Sequence, residues 1–91
     1  MPRIAVIDFE TTGILPGQGA RATEVAIVLL EQGQVVDRFQ SLMKTGAWIP
    51  PFITQLTGIT NAMVDAAPEA ERVMADAARF VGDAPMVAHN A

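Results

Sequence analysis

The chain has no cysteine and only one histidine, one tryptophan and six lysine or arginine residues among its 91 positions. Without cysteine there can be no disulfide, no thiolate nucleophile and no Cys-based zinc site, a pattern that fits a reducing compartment. Long apolar runs are also missing near the start. Arg3 precedes a short apolar stretch, but Asp8 and Glu10 end it before a signal-peptide core or a membrane span could be completed, so no membrane partner is expected and the cytosol is the expected location. Ten acids against six bases leave a formal charge of -4, too acidic for a broad surface that grips duplex phosphates. Nucleic acid is not thereby excluded, because a site that holds a chain end through bound divalent cations needs few basic side chains.

What is present is apolar. Hydrophobic residues make up 51% of the chain and the mean hydropathy is +0.31, rich for a free-standing small domain and suggestive of surface that a further element covers. The length allows at most one domain, and residues 1 to 91 are expected to be the N-terminal part of one. Repeats, low-complexity tracts and linkers are absent from the sequence.

Residues 3 to 9 form a nearly unbroken apolar run, the pattern of a central strand covered on both faces. Residues 13 to 21 hold Gly13, Pro16, Gly17 and Gly19 and read as a loop. Two further β-type runs, about 23 to 30 and 35 to 43, are joined by a short Gly-containing link and predict a hairpin whose outer strand lies near the sheet edge. Pro50 and Pro51 open a short helix that Gly58 closes, expected over 51 to 57, and another turn or helix is expected over 61 to 65. Pro68, Glu69 and Glu71 mark the start of a longer helix ended by Gly82, with Val73, Ala77, Phe80 and Val81 as its apolar stripe. A short strand over 85 to 89 follows, and the connection is long enough for it to lie parallel to the first strand and beside it.

That arrangement brings Asp8 and Glu10 to the strand edge where open α/β sheets hold ligands, near His89 and Asn90. Residues two apart on a strand share a face, so both carboxylates can aim at one point while Phe9 turns to the core. Such a pair suits magnesium or manganese, and two such ions about 4 Å apart can activate water and stabilise the leaving oxygen of a phosphodiester. Asp-x-Glu alone also arises where a strand runs out into solvent.

The longer run Asp8-Phe9-Glu10-Thr11-Thr12-Gly13 resembles the first motif of the DnaQ-like DEDD exonuclease superfamily, which includes the proofreading epsilon subunit of bacterial DNA polymerase III. Leu56-Thr57-Gly58-Ile59-Thr60 looks like that family's segment beside the terminal nucleotide, and Val87-Ala88-His89-Asn90-Ala91 like the opening of its second motif. The resemblance implies an α/β fold of the ribonuclease H-like type, with a mixed sheet in the order 3-2-1-4, flanking helices and a C-terminal part beyond these residues. It implies that Asp8 bridges two divalent metal ions, Mg2+ or Mn2+, and that Glu10 helps bind one. Phe9, Thr11, Thr12, Leu56, Thr57, His89 and Asn90 would line the substrate, with Leu56 wedged against the terminal base. The family's Phe-Asp pair and its third motif, with the general-base histidine and a fourth acid, do not occur in these 91 residues. They hold two of four metal ligands.

Each of these residues also has a plainer role open to it. His89 can serve backbone orientation alone, Thr57 and Thr60 can be helix caps, and Glu24 can form an edge ion pair with Arg21. Trp48, just before Pro50, can stack a base but is expected to anchor on the core. The expected activity is 3′-to-5′ hydrolysis of single-stranded DNA in proofreading or repair, with a DNA polymerase subunit as a candidate partner. RNA trimming is an alternative within the superfamily, and a non-catalytic nucleic-acid or protein-binding module is one outside it.

Overall fold

A computed structural model of the chain describes residues 2–11, 22–44, 46 and 48–88. The apolar run at the start forms β1, Ile4–Thr11, followed by β2, Ala22–Glu31, and β3, Gln34–Leu42. Three helices come next, α1 (Pro51–Thr57), α2 (Asn61–Asp65) and α3 (Ala70–Val81), and then a short strand β4, Met86–Ala88. The strands make one mixed sheet in the order β3-β2-β1-β4, as expected. β1 and β2 are antiparallel, as are β2 and β3, whereas β4 runs parallel to β1. The expected loop over 13 to 21 lies outside the described residues.

Burial alternates along the sheet with the strand period of two. Ala5 and Ile7 of β1 and Thr23, Val25, Ile27 and Leu29 of β2 point inward, and the residues between them are half-buried or exposed. α3 lies on the inward face, closing a core through Val73 and Ala77 with Phe80 and Val81 packed beside them. Phe80 meets Phe39 of β3 at 5.5 Å between ring centroids. The expectation that β1 is covered on both faces is met on this one. On the other face Ile4 and Val87 are exposed, because α3 packs only on the inward side and the α1–α2 pair reaches only the Leu42 corner.

α1 and α2 build that second, smaller cluster from Ile49, Ile53, Ile59 and Val64, with Leu42 of β3 packed against it. Helix α1 has Pro50 as its N-cap and Pro51 as its first residue, and it ends on Gly58 in the left-handed conformation, φ 79°. Thr60 caps α2, its hydroxyl accepting from the Met63 N–H at 3.1 Å, which bears out the plainer role. α3 starts at Ala70, two residues after Pro68, because the Pro68 carbonyl accepts from the Lys44 N–H at 2.8 Å and the chain there runs extended beside Lys44.

Candidate active site

Asp8 and Glu10 leave β1 on the face opposite α3, both half-buried. The antiparallel register sets Asp8 opposite Ala26 and Glu10 opposite Glu24, while Leu42 pairs with Glu24 from the far side. One row across the sheet therefore reads Glu10, Glu24, Leu42, and a small residue stands beside Asp8. Directly opposed acids sit about 5 Å apart at Cβ and repel. Glu24 turns its Oε2 to the Gln40 Nε2, 2.7 Å away on the edge strand. The carboxylate oxygens of Asp8 and Glu10 make no hydrogen bond or ion pair among the described residues.

The backbone at Glu10 is held in a particular way. The register slips between Glu10 and Thr11, so that Glu10 faces Glu24 and Thr11 faces Ala22, leaving Thr23 as an extra residue in β2. Thr23 is 1% exposed, and its hydroxyl donates to the Glu10 carbonyl at 3.1 Å. The bulge is thus closed by a side chain, and the carboxylate-bearing strand end is fixed. Thr23 was not among the candidates; its signal in the sequence is a hydroxyl at an inward-facing position of an otherwise apolar row.

The donor set suits a hard divalent cation, since two carboxylates on one strand face offer oxygens only. No group of three His, Cys, Asp or Glu side chains is gathered among the described residues, so Asp8 and Glu10 alone could give a cation only part of a shell. Glu24 stays apart, engaged by Gln40. The candidate ion pair of Glu24 with Arg21 involves a residue outside the described set.

The other candidates are distributed around this face. Thr11 ends β1 and is exposed. Phe9 points to the opposite side from the acids, 41% exposed, and lines a recess there with Met43 and Met74. It is therefore neither fully in the core nor beside the two carboxylates. Leu56 projects from α1 and is 79% exposed. Thr57 spends its hydroxyl locally, donating to the Ile53 carbonyl at 2.9 Å and accepting from the Ile59 N–H at 3.1 Å. Trp48 overturns its expectation as a core anchor, because Ile49 takes the inward position and the indole is left 68% exposed. β4 pairs its last residue, Ala88, with Ile7, one step before Asp8. Thr12, His89 and Asn90 lie outside the described residues.

The family model described as exonuclease, of the RNase T type, matches residues 5–91. The chain is 41% identical over 88 residues to the 3′-5′ exonuclease DinG of Bacillus subtilis (strain 168), covering 97% of this chain and 10% of that protein. It is 39% identical over 84 residues to the DNA polymerase III subunit epsilon of Aquifex aeolicus (strain VF5), covering 92% of this chain and 41% of the relative. Among solved structures it resembles the nuclease domain of 3′hExo, a DEDDh family member bound to rAMP, with a TM-score of 0.79 at 26% identity over 94% of this chain and 50% of that one. The chain belongs to the exonuclease family, within the DnaQ-like DEDD superfamily, and its mixed sheet is the ribonuclease H-like one.

Proposed function

We propose that the full-length protein is a 3′-to-5′ exonuclease that hydrolyses phosphodiester bonds at the 3′ end of single-stranded DNA, in proofreading or repair. The observation that supports this most is the pair of carboxylates, Asp8 and Glu10, without a partner among the described residues and on one face at the end of the central strand. Two divalent ions, Mg2+ or Mn2+, would supply an activated water and charge stabilisation for the leaving oxygen. Asp8 and Glu10 would hold the ions, with ligands from outside this pair completing the shell. Thr23 keeps the Glu10 backbone in place through its carbonyl. Thr11 and Thr12 contact the terminal nucleotide, Leu56 bears on its base, and Thr57, His89 and Asn90 border the same cleft. Phe9, on the far side of β1, supports the motif from behind.

The substrate is assigned to DNA on the similarity to a DNA polymerase III epsilon subunit, which also makes a polymerase catalytic subunit a candidate partner and the cytoplasm the working compartment. No helix among the described residues is long and apolar enough to cross a membrane. RNA trimming is the second reading, favoured by the likeness to a nuclease domain bound to rAMP. The test uses the full-length protein with matched single-stranded DNA and RNA oligonucleotides. Asp8→Asn is expected to abolish Mn2+-dependent release of nucleoside monophosphates with the fold intact by circular dichroism. Retained activity in that variant would overturn the assignment, and preference for the RNA strand would replace DNA with RNA.

A further inference from the structure

We propose that Trp48 is a stacking platform for a base upstream of the terminal nucleotide, a strand-binding element of the exonuclease site proposed above and dependent on that reading. Its support begins with the backbone. Asn61 grips Ile49 from both sides, its Oδ1 accepting from the Ile49 N–H at 2.8 Å and its Nδ2 donating to the Ile49 carbonyl at 3.1 Å. Ile49 itself is 1% exposed in the second cluster, and Pro50 and Pro51 follow at once with their φ angles fixed. The neighbouring indole is therefore presented to solvent from a clamped segment, and little conformational freedom is lost when a flat ligand docks on it.

Position supplies the second argument. The cluster that contains Ile49 packs on Leu42, and Leu42 lies in the row Leu42, Glu24, Glu10. Two strand spacings, about 10 Å, separate Leu42 from Glu10. The Trp48 segment thus borders the acid-bearing face at a separation suited to a nucleotide strand leaving the site. α1 adds exposed Phe52 and Leu56, four residues apart and so on one side of the helix.

Charge supplies the third. With a net charge of -4, and with Arg38 the only basic side chain of β1 to β4 that shares the acids' face among the described residues, phosphate contacts on this face are few. Away from the chain end that bound cations would hold, affinity for a single strand must then come largely from its bases, and a tryptophan face serves every base alike.

The test compares full-length wild type, Trp48→Ala and Trp48→Phe on two substrates, a single-stranded DNA 12-mer and the p-nitrophenyl ester of thymidine 5′-monophosphate, which offers the terminal nucleotide alone. Trp48→Ala is expected to raise KM for the 12-mer roughly tenfold, with kcat unchanged and ester hydrolysis unaffected, and Trp48→Phe to restore most of the loss. The ratio of wild-type to Trp48→Ala KM should stay constant from 50 to 200 mM salt, because stacking releases no counterions. An unchanged KM for the 12-mer, including the case in which Trp48→Ala instead weakens a protein partner, overturns the proposal while leaving the exonuclease reading standing. An equal loss on the ester overturns it too, since the defect would then lie at the metal site. A wild type that hydrolyses neither substrate sinks the exonuclease reading itself.

Discussion

Thr23 shows how much of a site can depend on one hydroxyl in a dry row. Its side chain is buried, and without its hydroxyl the Glu10 carbonyl would lose a hydrogen bond in a partly buried place. Thr23→Val keeps the shape and removes the donor, so it should cost roughly 1 kcal/mol of stability by denaturant titration and raise the Mg2+ concentration for half-maximal activity, with Thr23→Ser restoring both. Glu10→Gln should do something different. It removes the repulsion with Glu24 across the ladder, so in metal-free buffer it should stabilise the fold by up to about 1 kcal/mol while activity falls away. An unchanged stability instead would mean that the opposed acids are screened from one another. The shared face of Asp8 and Glu10 was legible from strand parity alone. The opposition of Glu10 and Glu24 was not, because it depends on register, and a single bulged residue such as Thr23 decides which side chains meet. Trp48 was misjudged for a related reason: of two adjacent apolar residues only one can enter the cluster, and Ile49 does.

At the scale of elements, punctuation made the helices easy to read. Pro51 and Gly58 bound α1 where proline and glycine chemistry says they should, and Gly58 at φ 79° has open space around the position of an added Cβ. Gly58→Ala should therefore cost about 1 kcal/mol through backbone strain alone, measured by urea midpoint. The β2–β3 hairpin turns on Gln32 and Gly33, both at positive φ, 53° and 78°, the signature of a tight turn that favours Asn-Gly. Gln32→Asn should raise the melting temperature slightly; an unchanged or lower value would show the turn to be governed by its flanking pairs. The start of α3 was less legible. Its acids and proline pointed two residues too early, since the Pro68 carbonyl is committed to Lys44, a contact between segments more than twenty positions apart that no local pattern announces.

Across the whole molecule, the sheet order could be read because a hairpin and one long crossover leave few alternatives. The degree of covering could not, since an apolar run looks the same whether one face or two are packed. Residues 1–91 expressed alone should bind Mg2+ weakly, release no monophosphate from a single-stranded 3′ end, and bind a hydrophobic dye on the face that carries Ile4 and Val87. Turnover by that polypeptide, freed of contaminating nuclease, would contradict the partial metal shell. The core's division into two clusters, the second resting on Leu42 of β3, carries a consequence in time. The Ile49–Val64 cluster can open at its own, lower free energy while the paired strands beneath Asp8 and Glu10 stay closed. Amides of Ile53 and Val64 should accordingly exchange with deuterium well before those of Val25 and Ile27, so that one border of the acid-bearing face loosens while the strands that carry Asp8 and Glu10 stay shut.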